Sequence, residues 1–487
     1  MKPVTRREAL LLGGIGAASL AAGTAGLTFT DAGSTGLSGG GMLVEPPVHA
    51  SASGTLSLAL SAGETLTQVG SQSATLWTYE GSLPGPTMRV RAGDRVGVML
   101  RNRLPEPTNL HVHGLHVSPE GNSDNVFVTV DPGADFQYEY RLPANHPPGV
   151  YWYHPHHHGR VAGQVFAGMY GAIIVEDATP IPVSRDRVLV ISDLTLDSAG
   201  RPTAASAMER MLGREGATVL VNGQVSPTMA ARPGERERWR IVNACTARYL
   251  RLRLDGQQLQ LLGIDSGRLA RPRTVSEVLL APGNRADLLV TTTTGTSTLR
   301  ALPVNRGGMT GMMGASRPNQ DPVILGTFTV AGASMPARGA VPPQPASRDL
   351  RGAPVAARRQ LTFAMGMGMD GGSSGMGGMS GTGGMSFTID GRPFDPSRID
   401  TRVATGTVEE WTLTNTSPMD HPIHLHVWPM QVLEPETETV WRDVVNVPAH
   451  SSVRVRIPFE DFSGRTVYHC HILDHEDAGM MAVLEAA

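Results

Sequence analysis

Apolar residues along this chain recur mainly at every second position. Val96, Val98 and Leu100 alternate with other residues, as do Leu250, Leu252 and Leu254, and Gly, Pro and Asn interrupt the pattern at short intervals. A two-residue period turns one set of side chains to a buried face and the other outward, so these segments predict half-buried strands in sandwiches or barrels. Helical periodicity is confined to a short stretch around Ala204 to Leu212.

The pattern also repeats on a larger scale. Pro86-Thr87-Met88 through Asn102 aligns without gaps on Pro227-Thr228-Met229 through Asn243, keeping Arg91/Arg232, Gly93/Gly234 and Arg95/Arg236. A fainter third copy ends at Asn415, where Gly406, Trp411 and Asn415 match Gly234, Trp239 and Asn243. Repeats this far apart are domain-sized. Three related all-β units are therefore expected over residues 51–177, 183–331 and 358–487. Ala178-Thr179-Pro180-Ile181-Pro182 links the first two, and a Pro- and Ala-rich stretch from Ala331 to Ala357 links the second to the third. A Met/Gly/Ser segment, residues 365–385, then opens the third unit.

Composition narrows the function. The 487 residues suffice for several hydrophobic cores, and 57 Gly with 36 Pro make the chain turn-rich but not of low complexity. With 41 basic and 44 acidic residues the net charge is −3, so no electrostatic footprint for nucleic acid or an anionic membrane is present and a small partner is expected. Thr5-Arg6-Arg7 before an Ala- and Gly-rich apolar run looks like a twin-arginine export signal over residues 1–32, cleaved between Ala21 and Ala32. The protein is thus expected to work in the periplasm or outside the cell, as a monomer without stable membrane association. Two cysteines cannot build a disulfide framework.

The histidines carry the chemistry. Ten of the sixteen fall in four clusters: His111-Val112-His113; His154-Pro155-His156; His421 with His424-Leu425-His426; and His469-Cys470-His471 with His475. None lies between His158 and His421, so a metal site must join the two outer units. On a strand, residues i and i+2 share a face, which makes each His-x-His a two-pronged clamp. In His469-Cys470-His471 the thiol faces away from both imidazoles, so one strand serves two sites back to back. Cys470, His475 and Met480 with a further histidine supply the His2Cys and weak axial Met set of a blue copper centre. Zinc is the second choice of metal, though its sites rarely need a thioether. The clamps also repeat: Tyr153-His154-Pro155-His156 superposes on Tyr468-His469-Cys470-His471, and His111-Val112-His113 on His424-Leu425-His426. Eight imidazoles facing each other across two units suit a three-copper cluster.

Together these motifs resemble those of the three-domain multicopper oxidases, the family of laccases and periplasmic cuprous oxidases, over essentially the whole mature chain. The resemblance implies three consecutive cupredoxin-like Greek-key domains, sandwiches or barrels, and four copper ions. It implies that His421, Cys470, His475 and Met480 hold a type 1 copper, and that His111 and His424 hold the type 2 copper. It gives His113, His154, His156, His426, His469 and His471 to the type 3 pair. The activity implied is one-electron oxidation of a reductant at the type 1 site, transfer through Cys470 and its flanking histidines, and four-electron reduction of dioxygen to water. Asp124, after the first clamp, and Glu476, after His475, resemble the family's proton-relay carboxylates.

Substrate choice rests on methionine. Met365, Met367, Met369, Met376, Met379 and Met385, with Met309, Met312 and Met313, offer soft thioethers that favour copper(I). The reductant expected first is therefore copper(I), in copper tolerance; the alternative is a laccase acting on phenols or aromatic amines, and a non-enzymatic copper scaffold is the remote third reading. A Met/Gly/Ser tract also serves as a plain flexible linker. Met419 and Asp420 suit either an extension of a cuprous path or loop packing. Asp443 suits an acceptor for a type 1 histidine or a structural ion pair. Cys245 is expected to be a small buried hydrophobe, and His49, His116, His146, His157, His158 and His450 to be solvated or core residues.

Overall fold

The computed structural model describes residues 40–308, 321–344, 347–367, 385–434 and 438–487. The signal segment, Met309, Met312, Met313 and the centre of the Met/Gly tract lie outside them. Strands dominate, in six sheets that pair into three sandwiches. In the first sandwich a five-stranded sheet, which begins with Val48–Ala50 and ends at His111–His113, faces a four-stranded one built around Thr55–Val69. The second and third each face a six-stranded sheet against a five-stranded one. Each sandwich closes on its own core, with Val98, Leu100 and Tyr153 in the first, Trp239, Leu252 and Phe328 in the second, and Trp411, Val455 and Tyr468 in the third. The alternating residues of the sequence are those that point inward. Ala207–Leu212 is a helix, begun by a capping box between Ser206 and Glu209. Two other short helices among the described residues are Val161–Phe166 and Leu473–Asp477.

The repeated residues have repeated tasks. Asn102, Asn243 and Asn415 end equivalent central strands and are buried. Each Oδ1 accepts from the N–H two residues on, in Leu104, Cys245 and Ser417. Each Nδ2 donates to a carbonyl of the following loop and to one on a later segment: Glu106 and Val130, Arg248 and Leu280, Met419 and Val447. Such an amide satisfies backbone groups where the strand breaks into a loop, which a buried loop otherwise cannot do cheaply. Trp239 and Trp411 likewise each donate to a buried carboxylate two residues back, Glu237 and Glu409, at 2.8 Å. Those carboxylates are gripped by Arg187 and Arg359, each opposite its tryptophan in the parallel neighbouring strand.

The units are joined by contacts of both kinds. Val150, Trp152 and Ile174 of the first unit pack with Val188, Val190 and Val242 of the second and Leu473 of the third. Asp177, just before the first linker, and Asp287 are both bound by Arg238 and Arg268, an alternating four-charge ring nearly closed to solvent. Burial raises the cost of these carboxylates, but the two guanidiniums hold Asp287 below the usual carboxylate range.

Replacing Asn243 by Ala, in the unit without histidines, orphans one N–H and two carbonyls. Urea denaturation is expected to show a loss of about 2 to 4 kcal/mol; an unchanged midpoint would contradict the role given to this amide.

Candidate metal centre

The first clamp lies on strand His111–His113, antiparallel to Gly149–His154 with His111 opposite His154. In the third unit, strand His421–Leu425 pairs with Gly464–Cys470 and places His424 opposite His469. The two outer units therefore use the same register, as their aligned motifs require. They meet crosswise. His111 stacks on His426 with ring centres 3.9 Å apart, and His113 on His424 at 3.8 Å. His156 and His426 both bring Nε2 close to Nε2 of His469, at 3.2 and 3.1 Å. All eight of these imidazoles, His471 included, are buried.

Five of the eight rings are tied from outside on one nitrogen. His111 Nδ1 faces both oxygens of Asp124 at 3.0 Å, and Val112 N–H also donates to that carboxylate. His113 is turned the other way, with Nε2 on Asp443 at 3.1 Å. Nδ1 of His154, His424 and His469 meets the carbonyls of Pro155, Asp443 and Cys470. Nitrogens are left over: Nε2 of His111, His154 and His424, Nδ1 of His113 and His426, and both nitrogens of His471 have no hydrogen-bond partner. Buried polar atoms are rarely left so, and a cluster of inward lone pairs fits a bound cation. His111, His113 and His154, His111, His424 and His426, and His156, His426 and His469 each form a group able to hold one ion. Burial, and then mutual repulsion in most of them, pushes His111, His113, His154, His156, His424, His426 and His471 toward the neutral form a ligand needs; His154 falls to about 3.

A second site lies on the other face of the same strand. His421 Nδ1 is 3.3 Å and His475 Nδ1 3.8 Å from Cys470 Sγ, and the two nitrogens are 3.4 Å apart. Their Nε2 atoms are engaged elsewhere, His421 with Ser417 Oγ at 2.7 Å and His475 with the Met211 carbonyl at 3.1 Å. With Nε2–H donated outward, two Nδ1 lone pairs and a sulfur face one point, a repulsive arrangement without a cation and a fitting one for a soft or borderline metal. Burial pushes the Cys470 thiol up, so a bound metal must supply the charge that makes it a thiolate. Met480 is fully buried beside this group: Cys470 N–H donates to its carbonyl, and its own N–H to that of His475. Phe387 stacks on the His475 ring at 4.4 Å.

The carboxylates separate cleanly. Asp124 sits against His111, and burial raises it to about 8. Glu476, fully buried, lies 3.0 Å from His469 Nδ1 and 3.4 Å from His156 Nε2. Its neighbour Asp477 turns away and accepts from the N–H groups of Val161 and Ala162, at the start of helix Val161–Phe166. Asp443 is in an ion pair, one of its two sequence readings. The other reading is corrected: the imidazoles it meets are His113 and His424, not those grouped with Cys470. Asp420 is occupied by Asn446 and the Ala449 N–H, which is loop packing. Cys245 is buried in the middle unit, as expected. His116 and His146 bond to loops and to each other, and none of the six remaining histidines enters a metal-holding group among the described residues. Sequence reasoning missed Ser417 and the Met211 carbonyl. A serine four residues before a ligand was a readable hint; a backbone acceptor from another unit leaves no sequence mark.

Three family models described as multicopper oxidase match residues 62–180, 185–308 and 373–487. Among relatives, the multicopper oxidase mco of Staphylococcus haemolyticus is 27% identical, over 84% of this chain and 83% of its own. The laccase of Bacillus subtilis is 27% identical over 84% and 90%. The cell division protein FtsP of Dickeya dadantii is 28% identical over 84% and 85%. A multicopper oxidase structure from Campylobacter jejuni, described as a metallo-oxidase, superposes with a TM-score of 0.78 and 28% identity, over 92% of this chain and 96% of that one. The chain belongs to the multicopper oxidases, copper-dependent oxidoreductases that use dioxygen and a reductant.

Proposed function

We propose that the protein is an exported cuprous oxidase. In this reading His421, Cys470 and His475, with Met480, hold a type 1 copper. His111 and His424 hold a type 2 copper, and His113, His154, His156, His426, His469 and His471 hold a type 3 pair. Bound copper supplies one-electron chemistry, so that four reductants each losing one electron convert dioxygen and four protons to two waters. The chain's part is to bind, orient and keep water out. His469-Cys470-His471 joins the two ligand sets covalently. Asp124, raised by burial, holds a proton beside His111 Nδ1, and Glu476 lies beside His469 Nδ1 and His156 Nε2 as the second carboxylate of the relay.

One observation carries the choice of reductant. Strand Ala357–Met367 pairs with Met385–Ile389 so that Met365 lies opposite Phe387, the residue stacked on His475. The Met/Gly tract thus leaves and re-enters the fold beside the cysteine site, and Met365 and Met385 pack on the core that contains Cys470 and Met480. The thioethers of Met365 and Met385 suit copper(I). The relative named laccase supports the phenol reading, and the one named a cell division protein the scaffold reading; the complete, convergent ligand set speaks against the latter. Export is supported by the Arg6-Arg7 leader, and no helix among the described residues is long and apolar enough to cross a membrane.

Deleting residues 368–384 is expected to lower kcat/KM for copper(I) by about tenfold or more, in line with losing binding energy of about 1.4 kcal/mol, while phenol oxidation holds or rises. Unchanged copper(I) kinetics would exclude the reading. Glu476→Gln should slow dioxygen reduction about 100-fold or more while copper content and the blue thiolate band, which Cys470→Ser abolishes, stay intact; a copper-loaded wild type with no blue band would favour the scaffold. Copper removal should expose an acid sensitivity. The buried histidines that burial shifts sit below their ordinary value, so the unfolded chain binds more protons as pH falls below about 6.5, and the apoprotein loses about 1.4 kcal/mol per pH unit for each such ring. Apoprotein melting is therefore expected to fall steeply from pH 7 to 5, and copper-loaded protein far less; parallel curves would count against copper on these rings.

A further inference from the structure

The middle unit has no histidine, yet it forms one wall of the eight-imidazole cluster. Gly283, at φ +84°, packs its backbone on the His471 ring, where a Cβ would come within 2.9 Å. Two residues on, Arg285 is fully buried. Its Nη1 and Nη2 donate to the two oxygens of Asp443 at 2.5 and 2.6 Å, its Nε to the Val150 carbonyl at 3.0 Å, and Nη1 also to the Gly283 carbonyl at 3.1 Å. One guanidinium thereby ties together all three units. A fork of this kind fixes the plane of a carboxylate, not only its position.

The orientation matters because of what Asp443 does next. Its Oδ1 accepts from His113 Nε2 at 3.1 Å, and its carbonyl accepts from His424 Nδ1 at 2.8 Å. His111 and His113 share one strand but present opposite nitrogens inward, Nε2 and Nδ1. Asp124 sets the first choice and Asp443 the second. Gly114, at φ +81°, leaves room for this: a Cβ there would collide with both Arg285 Nη2 and Asp443 Oδ2.

We propose that Arg285 is a positioning residue of the copper cluster: by orienting Asp443 it keeps His113 in the Nε2–H form and directs Nδ1 to the metal. This rests on the copper reading above. It differs from a purely structural ion pair in what survives when the pair is replaced by apolar groups of similar size, a change that commonly preserves stability.

The test begins with the unaltered apoprotein, where nitrogen NMR should find His113 protonated on Nε2; protonation on Nδ1 would overturn the proposal without any variant. Arg285→Lys keeps the charge and loses the fork, and the double change Arg285→Met with Asp443→Leu removes the pair. Both are expected to keep the blue band of the cysteine site while copper affinity of the cluster falls about 10- to 100-fold. The double variant should melt above Arg285→Met alone, with copper loading not recovered and the His113 ring no longer held as Nε2–H. A folded variant with wild-type copper affinity and an unchanged His113 tautomer would overturn the proposal. Absence of the blue band in the wild type would instead sink the copper reading, which the apoprotein tautomer does not depend on.

Discussion

The architecture depends on one constraint: an imidazole buried away from water must give one nitrogen to the protein and leave the other for something else. Ten such rings in the dry interior would be a heavy burden without partners on their outer nitrogens. For seven of the ten, His111, His113, His154, His421, His424, His469 and His475, the partners are carboxylates, carbonyls and one hydroxyl, and their placement decides which lone pair faces inward. The crosswise stacking of the two clamps follows. Flat rings at under 4 Å exclude water and bring unpaired nitrogens together, which is where a cation lowers the energy of the whole arrangement.

Much of this was legible in the sequence. Alternation predicted strands because a sheet face has a period of two, and the aligned asparagines predicted repeated units because each ends its strand in the same way. The His-x-His spacing predicted clamps for the same stereochemical reason. The pairing of His111 with His154 and of His424 with His469 then matches the motif alignment. What could not be read depends on contacts between units. Asp443 suited an acceptor for a cysteine-site histidine as well as an ion pair, and only the fold decides: it sets the residue against Arg285, His113 and His424. Arg285 gave no sign at all, being one of many arginines in the chain.

The middle unit is better understood as a charged brace than as a spacer. Arg238 and Arg285 lie on its strands with little or no exposure, and each holds a carboxylate of another unit, Asp177 of the first and Asp443 of the third. Buried pairs of this sort add little net stability compared with apolar packing but are costly to break singly. They therefore favour one arrangement of the three sandwiches over near alternatives, and the cluster, built where two units meet directly against a wall of the third, needs that single arrangement.

The carbonyl of Met211 is the middle unit's acceptor for His475. A main-chain oxygen cannot be mutated away. The helix that carries it buries none of its own side chains and stands on a local capping box, so its surface residues are free to drift without losing that contact. Substitutions can thus rewrite the face presented to solvent while the imidazole beneath keeps its orientation.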